Sequence, residues 1–269
     1  MELKYNLNKG VWCFTLAPHL EKKMDCSQCK KLLSHGGYAV RNVYDFDIKE
    51  ETEFWYLIKD SFGGFDELTS KMRNKVRRSF NDCDIKQITK KELLSKGYGV
   101  YCEAMENYRV KAVASSKDAF IQRINSCKED EWDFWGVYLK GTETLIAFAM
   151  NRVTEDMCGY STMKAVPKYQ QQHRPYYGLI FEMNRYYLCE KGKKYVSDGA
   201  RTITNHSNVQ SFLSDDFHFR KAFCHLQLVY PFWMRIIIKT LYPFRNVIPV
   251  RKIKAMLNME WMARNSQAN

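Results

Sequence analysis

The sequence predicts an α/β (α+β) protein built around one mixed β-sheet. Along the chain, segments with helical or strand-like periodicity occur in the order helix, helix, three strands, helix, strand, helix, strand. Hydrophobic residues make up 45% of the 269 residues and include 17 Tyr, 16 Phe and 6 Trp, which is enough for a substantial core. Helices and strands that alternate in this way pack as a sheet flanked by helices.

The central part of the chain carries the clearest element signals. Thr89-x-x-Glu92 and Ser115-x-x-Asp118 have the spacing of capping boxes and predict helices near residues 92–109 and 117–128. The run EWDFWGVYLKGTETLIAFAMNRV predicts two strands around a turn at Lys140-Gly141, and MCGYSTMKAV predicts a third. Further on, KKYVSDG predicts a strand, NVQSFLSDD a short helix and AFCHLQLVY a final strand.

The segment VPKYQQQHRPYYGLI, residues 166–180, predicts the end of a strand, a polar turn and an amphipathic helix. After the turn, Tyr176, Ile180, Met183 and Tyr187 recur at helical spacing, and Gly192 is placed to end the helix. Sheets of this class often bind ligands where a strand passes into a helix. The turn is therefore either a solvated loop or part of a binding site.

The charge favours anionic partners. The chain has 42 basic and 30 acidic residues, a formal charge of +12, which suits a phosphate-bearing cofactor, RNA or a membrane surface. In KMRNKVRRSF, residues 71–80, Met72, Val76 and Phe80 share one helical face. Its basic stripe of Lys71, Lys75 and Arg78 is either a solvated face or a surface for phosphate or nucleic acid.

The nine cysteines are scattered, and the first residues lack the apolar core of a signal peptide. We expect free thiols and a cytoplasmic protein. Cys26 and Cys29 could be drawn with His19 and His35 as a zinc site, but the spacing is not that of a standard finger, and we expect no metal. No uncharged apolar run reaches the ~18 residues of a membrane span, so the protein is expected to be soluble or peripheral to a membrane.

Four segments together resemble a known family: KMRNKVRRSF, LIAFAMNRV, AVPKYQQQHRPYYGLIFEMN and NHSNVQSFLSDDFHFRKAF. With the order of elements, they resemble the GNAT fold of acyl-CoA N-acyltransferases, and more narrowly its FemAB-type branch. That branch attaches amino acids or acyl groups to amines of cell-envelope precursors. The resemblance covers residues 45 to 230 and implies a GNAT-like mixed central sheet flanked by helices, with a C-terminal helical extension.

The resemblance implies a donor site in the polar turn. In GNAT enzymes a Q/R-x-x-G-x-G/A turn cradles the cofactor pyrophosphate with backbone N–H groups and a helix N-terminus. The same offsets here give Gln170, His173 and Pro175, so both small residues are replaced. The expected cofactor-binding residues are Val166, Gln170, Gln171, Gln172, His173, Arg174 and Asn208. The departure leaves open whether the donor is acetyl-CoA, another acyl-CoA or, as in some FemAB-type proteins, aminoacyl-tRNA.

The resemblance also directs attention to VSDGARTITNHSN for the chemistry. Asp198 and His206 are candidate bases for deprotonating an amine, and Arg201 is a candidate for orienting an anionic substrate. Many GNAT enzymes have a Tyr acid six residues after the Asn. Counting from Asn208 gives Ser214, a much weaker acid, so another tyrosine or water is expected to protonate the leaving group.

The C-terminal segment is basic and apolar and almost free of acids. It contains Trp233, the run Ile236–Ile238 and three prolines that divide it, and its apolar residues are interspersed with Arg235, Lys239, Arg245, Arg251, Lys252 and Lys254. It is either an extension that packs on the domain or an interfacial segment that docks on anionic lipid.

The expected organisation is an N-terminal segment over 1–44, an acyltransferase domain over 45–230 and the extension over 231–269. The expected activity is transfer of an acyl group from a CoA thioester to a small amine acceptor, such as an amino sugar or envelope precursor. The alternatives are aminoacyl transfer from tRNA, with the basic helix as RNA contact, and a catalytically silent module that binds RNA or membrane.

Overall fold

The computed structural model describes residues 4–106, 114–203 and 208–266. Within these ranges there are ten strands and nine α-helices. The strands are β1 (Tyr5–Asn8), β2 (Val11–Phe14), β3 (Ala39–Ile48), β4 (Trp55–Lys59), β5 (Cys83–Ile88), β6 (Trp132–Leu139), β7 (Leu145–Val153), β8 (Met157–Ala165), β9 (Tyr195–Ala200) and β10 (Arg220–Val229). The helices are α1 (Cys26–Ser34), α2 (Ser70–Asp82), α3 (Lys90–Glu106), α4 (Lys117–Asn125), α5 (Pro167–Gln172), α6 (Pro175–Arg185), α7 (Val209–Phe217), α8 (Phe232–Leu241) and α9 (Arg251–Arg264).

The chain divides into two compact units. The first consists of Met1–Leu57, Ala200–Asn205 and Lys221–Asn269, and the second of Ile58–Gly199 and His206–Arg220. The division into segments at residues 44 and 230 stays a prediction.

The first unit is built on a mixed sheet. Strand β1 pairs antiparallel with β2, β2 parallel with β3, and β3 antiparallel with β10. Its core contains Val43 and Leu226 from the sheet and Met259 and Met262 from α9. Helix α9 therefore supplies part of this core.

The second unit carries the strand order β9-β8-β7-β6-β5. Strands β5 to β8 are antiparallel neighbours, and β9 runs parallel to β8. Because both units contain parallel and antiparallel pairs and are flanked by helices, the predicted mixed α/β architecture is confirmed.

Helix starts in the second unit follow the capping signals with one correction. Thr69 and Thr89 accept hydrogen bonds from the backbone N–H of Met72 (3.3 Å) and Glu92 (3.1 Å). The predicted cap at Ser115 is wrong, because the N-cap is Ser116, which accepts from the Ala119 N–H at 3.2 Å, whereas α4 begins at Lys117 as predicted. The Ser115 hydroxyl instead lies 3.3 Å from the hydroxyl of Tyr101.

The predicted polar turn is partly helical. Residues Pro167–Gln172 form α5, and Arg174 takes the left-handed conformation at φ 54° before α6 begins at Pro175. A proline suits the first helical position because the N–H that it lacks would have no partner within the helix there, and glutamine is a good helix former. The two prolines thus start two successive helices where one turn and one helix were expected.

All nine cysteines are free thiols. Residues 4–106, 114–203 and 208–266 contain no group of three or more His, Cys, Asp or Glu side chains suited to a metal ion. Over the same ranges, no helix is both long enough and apolar enough to span a bilayer.

Candidate active site

Strands β8 and β9 separate toward their carboxyl ends. Their parallel pairing includes Met157 with Tyr195, and its last pair in the described chain joins Gly159 and Ser197. Strand β8 continues on β7 as far as Ala165, which pairs with Ala147. The separation opens the sheet beside the carboxyl half of β8, a favoured place for ligands in sheets of this class.

A β-bulge shapes the same half of β8. The register with β7 shifts between Met150, opposite Thr162, and Asn151, opposite Tyr160, so Ser161 is an extra residue. Side chains of a regular strand alternate between its two faces, and a bulge redirects them. The bulge explains how consecutive residues of one strand can contribute to a single cavity.

A cavity of about 310 Å³ lies at this opening. It is lined by Tyr101 and Met105 of α3, Arg123 of α4, Tyr160, Ser161, Thr162, Met163 and Lys164 of β8, Asp198 of β9 and Val209 of α7. All of these residues belong to the second unit. Five elements meet here, and they supply two cations, one carboxyl group and four hydroxyl groups.

Asp198 is the acidic group of the cavity, and it was among the predicted bases. Burial raises the pKa of its carboxyl group from 3.8 to about 7, and a hydrogen bond with the Gln210 side chain opposes the rise. Gly199 follows within β9 with φ 91°, a backbone conformation that glycine adopts readily. A carboxyl group with this pKa can accept and return a proton near neutral pH.

Two positive charges face the same cavity. Arg123 donates a hydrogen bond from Nη2 to the Thr162 hydroxyl at 2.7 Å, and Lys164 projects from β8. Fixed positive charge of this kind attracts an anionic ligand and stabilises an oxyanion. Neither residue was predicted. The polar stretch Ser161-Thr162-Met163-Lys164 within an otherwise apolar central strand was the available signal.

Tyr101 of α3 is the cavity hydroxyl with a lowered pKa. Burial alone would raise the pKa of this phenol. The side-chain and backbone hydrogen bonds with Ser115, together with the charges of Lys164 and Arg123, outweigh burial and lower it. The Ser115 N–H donates to its oxygen at 3.1 Å. A phenol stabilised as an anion is a better proton donor.

Tyr160 differs from Tyr101. Its hydroxyl donates a hydrogen bond to the side-chain oxygen of the buried Asn184 at 2.8 Å, and burial raises its pKa well above the usual value. Tyr160 therefore contributes shape to the cavity, whereas Tyr101 contributes a titratable hydroxyl.

The predicted donor residues of the turn do not line this cavity. Val166 is a buried core residue at the start of α5, and Gln170 donates from its amide nitrogen to the Ala165 carbonyl at 3.3 Å. Gln171 and Gln172 are exposed. His173 places Nδ1 3.0 Å from a carboxylate oxygen of Asp82.

Arg174 connects α5 to α6 in its left-handed conformation, and its backbone carbonyl accepts from the Tyr177 N–H at 2.9 Å. A role for these turn residues in binding the donor stays a prediction.

The predicted residues Asn208 and Ser214 do not line the cavity themselves. Asn208 is exposed and immediately precedes Val209, which lines the cavity, whereas Ser214 lies half-buried in α7 and does not line it. His206 lies outside the described residues. The structure thus brings Asp198, and the residue following Asn208, to the cavity.

Arg201 belongs to the first unit, where its charge is already paired. Its guanidinium donates to the Glu53 carboxylate and, at 2.8 Å, to the Glu53 carbonyl. It also lies 6.0 Å from the ring of Trp55 and 5.7 Å from that of Trp261. The proposed contact with an anionic substrate would have to compete with this ion pair.

Comparisons with known proteins identify the fold. No family model matches the sequence. No curated protein matches it either. Among solved structures, FemX is similar with a TM-score of 0.55 and 9% identity, over 72% of each chain. The C-terminal domain of an Agrobacterium fabrum protein described as a lysylphosphatidylglycerol synthetase is similar with a TM-score of 0.51 and 12% identity, over 83% of this chain and 78% of that one. The chain has a GNAT-like fold similar to that of FemX.

Proposed function

We propose that the protein is an acyltransferase that uses the cavity beside β8 to move an acyl group from an activated donor to an amine. The observation that carries the proposal is the carboxyl group of Asp198, whose pKa of about 7 suits a general base, beside two cations. The fold similarity to FemX and to a named synthetase domain supports a transferase. The fold similarity supports group transfer as the class of reaction and does not identify the donor or the acceptor.

The roles follow from elementary acyl-transfer chemistry. The amine nitrogen attacks the donor carbonyl carbon, and Asp198 accepts the proton that the nitrogen loses. Arg123 and Lys164 stabilise the negative charge on the carbonyl oxygen. The bond to the leaving group then breaks, and Tyr101 supplies the proton to the departing thiolate or oxygen. Tyr101 takes the place of the absent tyrosine at position 214.

Acyl-CoA is the first candidate donor, as the GNAT resemblance implies. The basic cavity suits its phosphates or its carbonyl oxygen. An amino sugar or an envelope precursor that carries a primary amine is the proposed acceptor.

Aminoacyl-tRNA is a second candidate donor, and a specific observation favours it. The turn expected to cradle the CoA pyrophosphate is occupied by helix α5, and His173 is paired with Asp82. In addition, one of the similar proteins is named for the synthesis of a lysyl lipid. The exposed cations of α2 offer a surface for RNA.

A ligand-stabilisation screen followed by a transfer assay tests the proposal. A ligand that binds only the folded state raises its stability by about 2.7 kcal/mol at a hundredfold excess over Kd. We expect a rise in Tm with acyl-CoA or with aminoacyl-tRNA, and loss of turnover in Asp198→Asn without loss of that rise. Stabilisation by neither donor, with no transfer to amines, would instead support a silent binding module.

The donor turn has its own test within this screen. Replacing His173 and Arg174 by Ala should weaken donor binding by ~1–3 kcal/mol if they contact its phosphates. Because His173 also contacts Asp82, the variant Asp82→Asn is the control for the loss of that pair. Unchanged donor affinity in the double variant would exclude the turn from the donor site.

A further inference from the structure

The C-terminal part of the first unit exposes an unusual number of large apolar side chains. Of the ten large hydrophobic residues that are exposed in the described chain, seven lie between residues 232 and 250. We call these seven residues the apolar patch. They are Phe232, Trp233, Ile236 and Ile237 of α8, and Phe244, Val247 and Val250 beyond it. Phe232 and Val247 are each 76% exposed and Trp233 is 54% exposed, so this patch is in water.

The apolar patch is distinct from the hydrophobic core, because α8 already buries another set of apolar residues. Met234 and Ile238, four residues apart, are buried in a cluster with Leu257 and Tyr230. The remaining apolar positions of the helix therefore face away from that cluster. A helix with apolar residues on both sides is typical of a segment that is covered on both sides.

The charge around the apolar patch points to the kind of partner. Residues 231–259 contain six basic residues and no acidic residue, so the segment carries a formal charge of +6. Arg235 and Lys239 are exposed on α8, and Arg251, Lys252 and Lys254 are exposed at the start of α9. Exposed aromatic and aliphatic side chains flanked by cations characterise interfacial segments that bind anionic lipid.

We propose that the apolar patch docks on an anionic lipid bilayer. The side chains of Trp233, Ile236 and Ile237 enter the interfacial region, and the neighbouring cations contact the lipid phosphates. The inner face, with Met234 and Ile238, stays in the protein core. The proposed attachment is peripheral, through the apolar patch and its flanking cations. The proposal is independent of the acyltransferase assignment.

Co-sedimentation of the full chain with vesicles tests the proposal. The probes are phosphatidylcholine vesicles with and without phosphatidylglycerol, at low and high salt. We expect binding to the anionic vesicles that high salt weakens, because each cation near the surface contributes about a fivefold gain in partitioning. No sedimentation with anionic vesicles would overturn the proposal.

Two sets of variants separate the apolar and charged contributions. Replacing Trp233, Ile236 and Ile237 by Ser should reduce partitioning by about tenfold or more at unchanged Tm, because these side chains are exposed. Arg235→Gln with Lys239→Gln should lower binding to anionic vesicles and leave the residual binding to neutral vesicles unchanged.

The control replaces exposed leucines elsewhere in the same unit, Leu7, Leu16 and Leu20, by Ser. It should bind vesicles as the unmodified protein does. Equal loss in this control would mean that general hydrophobicity drives sedimentation, and would overturn the proposal. Self-association abolished by the serine variants, with no vesicle binding, would assign the surface to a second copy of the chain.

Discussion

The guanidinium of Arg123 donates a hydrogen bond to the hydroxyl of Thr162 over 2.7 Å. This contact fixes a positive charge from α4 beside the bulge of β8, where the cavity opens. Arg123→Gln should lower kcat/KM by about a hundredfold, the usual cost of removing one preorganised oxyanion donor. The control Thr162→Val removes the anchor and keeps the charge, so it should cost much less. Equal effects of the two changes would show that Arg123 acts as a structural residue.

Asp198→Asn should abolish most of the transfer activity, by about 10²–10⁴-fold, because the amide cannot accept the amine proton. In the unmodified protein kcat/KM should rise with pH through about 7, where this carboxyl group ionises. The exposed Asp215→Asn in α7 is the matched control and should keep both rate and profile. A profile that is flat between pH 5 and pH 9 would rule out Asp198 as the base.

Although Asp198→Asn should lose activity, it should gain folding stability at neutral and alkaline pH. Because the folded-state pKa of Asp198 is raised, its favourable contribution is complete below the ordinary pKa of 3.8 and is lost as pH rises through about 7. Asp198→Asn should therefore match the unmodified protein in acid and become more stable above neutral pH, by at most about 4 kcal/mol. Thermal unfolding across pH measures this difference, and a variant destabilised at alkaline pH would contradict it.

Tyr101→Phe should lower kcat by roughly 10–10²-fold if the phenol protonates the leaving group. The loss should shrink with donors whose leaving group is a weaker base, because such groups need less protonation. Tyr98→Phe is the matched control, since Tyr98 lies on the same helix and its hydroxyl donates to the Ser115 carbonyl at 3.2 Å. Similar losses in both variants would point to the packing of α3 on Ser115 rather than to proton transfer.

Salt dependence tests the RNA-donor hypothesis on helix α2. Lys75 is bound within the protein, with Nζ 3.0 Å from the Tyr177 hydroxyl and 3.9 Å from the Asp216 carboxylate. The informative variant therefore changes Lys71, Arg77 and Arg78 to Gln, and should flatten the salt dependence of tRNA binding by roughly one unit per phosphate contact. Lys75→Gln should lower Tm and leave that slope unchanged. If tRNA binding does not depend on salt, the hypothesis that α2 contacts RNA is wrong.

Two helical glycines make opposite predictions for stability. A Cβ on Gly178 in α6 would lie 2.5 Å from both Ile85 Cδ1 and Ser79 Oγ, so Gly178→Ala should cost ~1–3 kcal/mol. Gly99 in α3 has open space at its Cβ position, and Gly99→Ala should stabilise by up to about 1 kcal/mol through helix propensity. Urea unfolding compares them. A neutral Gly178→Ala would mean that α2 and α6 move apart at little cost.

Local signals in the sequence determined most of the second unit. Strand-like apolar runs predicted β6, β7 and β8, and the Lys140-Gly141 turn is confirmed with Gly141 at φ 72°. Asp198 was a candidate because the resemblance to the GNAT family directed attention to the polar segment VSDGARTITNHSN. These features depend on neighbours along the chain, which a single sequence displays.

Tertiary structure decided the rest. The bulge at Ser161 and the separation of β8 from β9 depend on register, so they bring Arg123, Lys164 and Tyr101 to one cavity from three distant segments. The near-neutral pKa of Asp198 arises from burial, which the sequence does not encode locally. Likewise, only packing divides α8 into a buried face with Met234 and an exposed face with Trp233. Both residues are hydrophobic, so the sequence alone does not show which of them is buried.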